Sequence, residues 1–422
     1  MSGSMYAAIS GLNASQAMLG VVSQNIANVD TVGYKASSIS FAQSLMQTLS
    51  GGSAPTAASG GTNPMQVAAG GAVTTGGIDI NTSEGTLQST GINTNLAIQG
   101  KGMFIIQTPQ GTSYSRAGNF TIDAAGNLVT PQGGKVMGWT AAQVRSGTQT
   151  ATNIGPVTVP PNTSMAPKAS TTIGLNGNLD SVLPSGSTGT STTVDIPVTL
   201  YDSLGNPQQV TLAFTGPTAT SAGGTSWQVG YYKGSTATGT PTSLGTLAFD
   251  ANGNVTTWPT GTIAFTPTDG AAALSVQLSQ AKSQVTGYAA SSSLTASANG
   301  NAPGALVNFT VGANGVLNGT FSNGLTQSIG QVGLANFANP AGLLNAGQNL
   351  WQQSPNSGVP QIGQAASGAF GSLAAGTLEG SNVSLANEFV NMVIAQQGYQ
   401  ANAKVISVSQ ALRTTLTNAI AP

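Results

Sequence analysis

The chain has 422 residues, only 5% of them charged, and a net charge of −1, so it offers no electrostatic hold to nucleic acid or to an anionic membrane surface. It contains no Cys and no His, which excludes disulfide scaffolds, Cys/His zinc sites and a Ser-His-Asp triad. At this length about two to four domains are expected. Gly reaches 57 residues alongside 39% apolar residues, a balance that fits short strands joined by glycine turns better than disorder.

Near the N-terminus, Met5, Leu12, Leu19 and Ile26 recur every seventh residue, with Ala8, Ser15 and Val22 between them. That is the a/d seam of a coiled-coil helix, with small residues at d. The first basic residue is Lys35, so no positive region precedes an apolar core, as a cleavable signal would require. Nor is there a run of apolar residues long enough to span a bilayer, so no membrane insertion is expected. The helix ends in Ala27-Asn28-Val29-Asp30-Thr31-Val32-Gly33-Tyr34-Lys35, where Asn and Asp tolerate unusual backbone angles and Gly33 is free to take positive φ. Residues 51–77 read as an extended connector with a short strand near Met65.

A β-region begins near Ile78. Residues 96–106 read as a strand, a glycine break at Gly100-Lys101-Gly102 and a buried strand. The break is no phosphate loop, because the full P-loop spacing is missing and no helix follows. The pattern D-x-x-G-N occurs three times, beginning at Asp123, Asp202 and Asp250. Asp at the first position and Gly at the fourth suit type I hairpin turns. The third copy lacks the distant bidentate Glu of a calcium loop. Composition shifts near residues 146–161 and 281–300 bracket a segment with hairpins of its own, read as a β-domain inserted into another. Beyond it, residues 306–351 resume the outer domain, and residues 354–380 are a loop-rich return path.

The last element is the strongest. Over residues 381–416, Leu385, Phe389, Met392, Tyr399, Ala403 and Ile406 recur in steps of three and four, the spacing of one helix face. Ser381 or Asn382 is the expected N-cap, and Glu388 falls where the helix dipole favours an acid. The two terminal helices are expected to pair. The fold class is therefore mixed and mainly β, with nested β-domains and a terminal coiled coil. Residues 1–30 and 382–422 form the helical domain, 31–77 and 352–381 the connector, 78–150 and 286–351 the core β-domain, and 151–285 the inserted, barrel-like β-domain.

Four stretches resemble the bacterial flagellar axial proteins, the rod and hook family. Asn28, Gly33, Tyr34 and Lys35 are similar to that family's signature after its first helix. Residues 96–106 and 114–120 resemble its shared β-core, and Ala395-Gln396-Gln397-Gly398-Tyr399-Gln400-Ala401-Asn402-Ala403-Lys404 its C-terminal motif. Tyr201-Asp202-Ser203-Leu204-Gly205-Asn206-Pro207, Val136-Met137-Gly138-Trp139 and residues 330–337 are similar to the hook branch. The resemblance implies a structural subunit, many copies of which build a short, curved, hollow tube that joins motor to filament as a universal joint. It implies an extracellular place attached to the basal body, and export through the flagellar type III apparatus. The partners it implies are further copies of the chain, the rod, hook-cap and hook–filament junction proteins, and the export gate. Phe41 and Leu45 resemble the aromatic-x-x-x-aliphatic element that engages that gate. The straight distal rod is the alternative within the family.

The resemblance implies no catalytic, cofactor-binding or metal-binding residue. A carbohydrate-active β-protein would need two carboxylates about 5–9 Å apart. Asp195 and Asp202 are the nearest acids in the inserted segment, and both are expected at solvated strand ends. In a tube the terminal helices are expected innermost, with Gln16, Gln24, Gln396, Gln400 and Asn402 as candidates for a polar, nearly uncharged lumen.

Overall fold

The computed structural model describes residues 2–43, 46–50, 65–68, 73–159, 164–183, 192–221 and 223–420. Two compact units result: Met1–Pro161 with Phe309–Gly319 and Gln327–Pro422, and Asn162–Asn308 with Thr320–Thr326. Among its described residues the first unit holds three α-helices, α1 (Ser2–Ala27), α2 (Ala141–Ser146) and α3 (Leu385–Ile420). Among the described residues no helix is long and apolar enough to cross a membrane.

The β-body of the first unit is built around the strand Lys135–Thr140. It pairs antiparallel with Met103–Thr108 through Val136 and Ile106, and with Thr326–Asn336 through Gly138 and Val332. Met103–Thr108 continues into the hairpin strand Gly111–Ser115, which meets Leu350–Gln352 at Tyr114 and Trp351. Alternate residues of these strands point inward. Ile105, Tyr114, Ala335, Phe337, Leu343 and Trp351 form one apolar cluster, with the rings of Tyr114 and Phe337 edge to face at 4.8 Å.

Both expected connectors carry more structure than their composition suggests. Ser37–Gln43 pairs antiparallel with Val73–Ile80, and Met46–Ser50 with Met65–Ala68. On the return path, Gln361–Gln364 joins Thr326–Asn336, Ser372–Ala375 joins Leu96–Gln99, and Thr377–Glu379 joins Leu87–Ser89. Each short strand satisfies backbone groups that its partner would otherwise leave at an open edge. The segment expected to begin the inserted domain at residue 151 belongs to the first unit instead. Gly155–Pro156 pairs with Lys135–Thr140, and Val157 and Val159 alternate into the core.

Among the described residues, the core of the second unit lies between two five-stranded sheets. One is a meander of Thr192–Tyr201, Pro207–Ala219, Thr225–Lys233, Thr242–Phe249 and Val255–Thr257. In the other, Thr172–Asn178 is central. It pairs parallel with Leu274–Leu278 and Gln284–Thr286, and antiparallel with Thr295–Ala298. Both sheets bury side chains in one core that includes Leu212, Phe214, Trp227, Leu247 and Phe249. The expected boundary at residues 285/286 therefore moves to 308/309. Residues 281–300 look like a linker by composition, yet Leu294, Ala296 and Ala298 alternate against the core.

The three D-x-x-G-N repeats share one geometry. The first Asp's Oδ1 accepts the backbone N–H two and four residues on: Ala125 and Asn127, Leu204 and Asn206, Asn252 and Asn254, all at 2.8–2.9 Å. The Gly sits at φ +82°, +87° and +81° in turn. The second repeat corrects the expectation of a solvated Asp202, which is fully buried and takes Gln208 Nε2 at 3.1 Å. Asn206 of the same turn donates to Asp269 Oδ2 at 2.8 Å. Asp195 stays exposed on its strand. The expected pair is thus split between an exposed strand position, Asp195, and a buried turn whose neighbouring acid is Asp269.

Candidate assembly site

Helices α1 and α3 run antiparallel. Asn25 meets Glu388, a Cβ on Gly398 would lie 3.0 Å from Ser15 Oγ, and a Cβ on Gly11 would lie 2.6 Å from Asn402 Nδ2. Each step forward along α1 thus matches one step back along α3. Small residues permit this approach: any side chain at Gly11 would displace Asn402. The inward line of α3 is Glu388, Ala395, Asn402 and Ser409, spaced by seven, with Glu388, Ala395 and Ser409 buried. On α1, Ala8 and Val22 are buried and Ser15 is half-buried.

The predicted seam is therefore displaced. Met5, Leu12, Leu19 and Ile26 are only half-buried, as are Met392 and Ile406, whereas Leu385, Phe389, Tyr399 and Ala403 are exposed. The larger residues flank the contact, because helices this close have no room for them between the axes. The N-cap also moves. Glu388 N–H donates to Ser384 O at 3.0 Å, which makes Ser384 the residue before the first turn. Asn382 serves elsewhere: its Oδ1 accepts Ala36 N–H at 2.7 Å and its Nδ2 reaches Asn81 O and Ser83 O at 2.9 and 3.0 Å.

An apolar face remains on the outside of α3. Phe389, Val390, Val393 and Ile394 are each at least half exposed, and Val405, Val408, Leu412 and Leu416 continue the run. The pair is almost free of charge there: Lys404 and Arg413 are the cations of α3, and Glu388 faces inward. Gln16, Gln24, Gln396 and Gln400 are exposed, while Asn402 is half-buried against Gly11 and drops out of any lumen-lining set.

Below the helices lies a buried polar junction. Asn25 Oδ1 accepts Ser37 N–H at 3.0 Å and Tyr34 Oη at 3.2 Å, and its Nδ2 donates to Ser37 O at 2.7 Å and Glu388 Oε1 at 3.1 Å. Its full donor and acceptor capacity is used. Burial, aided by the Glu388 charge, pushes the Tyr34 phenol up. Lys35 Nζ donates to Glu379 Oε1 and to Ser83 O, both at 2.6 Å. Burial pulls the Lys35 ammonium down, and its hydrogen bond to Glu379 opposes that pull. Gly85 N–H reaches the same Glu379 oxygen at 2.9 Å, and Arg116 Nε stands 3.6 Å from Oε2. Arg116 also donates to Gly100 O at 2.7 Å.

The four signature residues divide between two tasks. Asn28 closes α1, with its Nδ2 on Gln24 O at 2.8 Å and its Oδ1 accepting Thr31 Oγ1 at 3.1 Å. Gly33 takes φ +70°, a Cβ there would stand 2.6 Å from Ala117 N, and its N–H donates to Glu379 O at 2.8 Å. Tyr34 and Lys35 enter the junction. Sequence reasoning missed Asn25, Arg116 and Glu379 as functional positions. Gly11, Met18 and Asn25 share the seven-residue spacing of the inward line, a signal hidden by the larger residues beside it. Phe41 is exposed on Ser37–Gln43. Leu45 lies outside the described residues.

Four family descriptions match along the chain: flagella basal body rod protein over residues 5–35, flagellar hook protein FlgE/F/G D1 domain over 97–180, flagellar basal body protein FlaE D2 domain over 178–301, and flagellar basal body rod FlgEFG protein C-terminal over 374–419. The flagellar hook protein FlgE of Salmonella typhimurium is 35% identical over 97% of this chain and 98% of its own. This chain belongs to the flagellar hook protein family. Members are structural subunits, not enzymes, and this one is placed in the extracellular hook attached to the basal body. A protein named flagellar basal-body rod protein FlgG, from Bacillus subtilis, is 28% identical over 98% of each chain. Length alone therefore does not separate hook from rod. The crystal structure of Helicobacter pylori flagellar hook protein FlgE2 shares the fold, with a TM-score of 0.51 at 17% identity over 68% of this chain and 98% of that one.

Proposed function

We propose that copies of this hook-family chain polymerise into a hollow, curved tube that carries torque from rod to filament as a universal joint. The supporting observation is the exposed apolar face of α3 on a chain whose β-cores are closed. An uncovered stripe of this size is a liability on a solitary subunit and a binding surface in a lattice. The copies' own terminal helices, Met5, Leu12, Leu19 and Ile26 on one and Leu385, Phe389, Met392, Tyr399, Ala403 and Ile406 on the other, are the proposed assembly positions. Rod, hook-cap and hook–filament junction proteins are the proposed neighbours at the tube's ends. The test is negative-stain imaging of concentrated purified protein. Curved tubes are expected; straight rods would favour the drive-shaft reading, and failure to polymerise under any condition would overturn both.

Export through the flagellar type III gate is proposed for the same chain, with Phe41 and Leu45 as the gate-binding element. Replacing both by Ala is expected to reduce secretion while leaving synthesis intact. Normal secretion of that variant would remove the assignment.

A further inference from the structure

A single carboxylate joins four stretches of chain that are far apart in sequence. Glu379 is fully buried. Its backbone O holds Gly33, its Oε1 holds Lys35 and Gly85, and its Oε2 faces Arg116, which is itself tied to Gly100 O in the β-core. Glu379 ends the last short strand before α3, and Gly33 and Lys35 follow α1. Both limbs that carry the helices thus end on the same acid.

The charge balance makes the two limbs dependent on each other. With the C-terminal strand seated and Lys35 absent, Glu379 would keep one neutral donor, Gly85 N–H, and a single counter-charge, Arg116 at 3.6 Å, and its Oε2 has no hydrogen-bond partner even in the complete junction. With Lys35 seated and Glu379 absent, a buried ammonium would face Arg116 with only Ser83 O and the weaker influence of Glu84 to offset it. A buried charge stripped of its partner is strongly disfavoured. We propose that Glu379, with Lys35 and Arg116, is a docking latch: neither limb seats stably on the β-body without the other, so the roots of α1 and α3 are positioned together or not at all.

The test is amide hydrogen exchange on the soluble full-length chain, which needs no polymer and so stands apart from the tube reading. In Lys35→Met, exchange in Ser372–Ala375 and Thr377–Glu379 is expected to rise on the order of a hundredfold, while Met103–Thr108 stays protected. In Glu379→Gln, residues 33–37 and 83–85 are expected to loosen in the same way. The double variant Lys35→Met/Glu379→Met removes both members of the Lys35–Glu379 pair and leaves Arg116 its bond to Gly100 O, so its loss of protection should be smaller than the sum of the losses in Lys35→Met and Glu379→Met alone. Strictly additive loss would overturn the latch; if one single variant fails to fold, the other still decides by whether the limb opposite its substitution loosens. Loosening confined to the mutated limb, with the opposite limb as protected as in the parent chain, would also overturn it.

Discussion

The helix pair and the second β-unit solve the same problem in opposite ways. In the second unit, two sheets seal Phe214, Trp227 and Phe249 between them, and the apolar residues that stay exposed, such as Leu204 and Val307, lie outside that core. In the helix pair, Gly11 and Gly398 let the axes come close, and the large residues are left outside, with Phe389 at 53% and Leu412 at 57% exposure. A closed core obtains its hydrophobic stabilisation within one copy. The helix pair leaves much of its own unrealised, the share that further copies are proposed to supply. Isolated helices with such limited mutual burial are marginal, so their order should depend on assembly as the second unit's does not.

That contrast breaks first at the outer face of α3. Phe389→Asp with Val393→Asp is expected to abolish sedimentable polymer, the largest effect foreseen, while the soluble chain keeps the thermal transition of the second unit. Polymer at parental concentration would mean that the face is not an interface. The converse change lies in the closed core. Trp227→Ala should cost about 3–5 kcal/mol, read by denaturant unfolding of the full chain, and should leave the exchange rates of α1 and α3 unchanged. Coupled loosening of the helices would erase the distinction between the two regions.

The smallest effect comes from pH and belongs to the D-x-x-G-N turns. Bonds from the Asn127 side chain to Asp123, and from Asn254 N–H to Asp250, hold those carboxyls below the ordinary range. At Asp202 burial pushes upward, and hydrogen bonds led by Gln208 outweigh it. Folded values depressed in this way contribute stability that is present above the ordinary aspartate range and is lost as pH falls through the lowered values. Two of the three turns lie in the second unit, so acid should destabilise it gradually. Asp202→Asn is expected to flatten that acid limb in a melting-temperature series; an unchanged slope would show that the turn carries no linkage.

Periodicity determined the presence of both terminal helices, because apolar residues kept in steps of three and four over so many turns line up only on a helix. The turns of the second unit and the glycine break at Gly100 were legible too, since Asp, Asn and Gly act through their immediate neighbours. The signature at Asn28, Gly33, Tyr34 and Lys35 stood out as a motif. What it binds did not, because Glu379 lies 344 residues from Lys35. Tertiary structure alone decided which helix face turns inward: a hydrophobic stripe reports that a face avoids water, whereas axis separation, set by Gly11 and Gly398, decides whether large side chains fit between helices. It also decided that residues 281–300 are strands of the second unit, since alternating Ala and Ser carry too little hydrophobic contrast to reveal a buried face until a neighbouring sheet covers it.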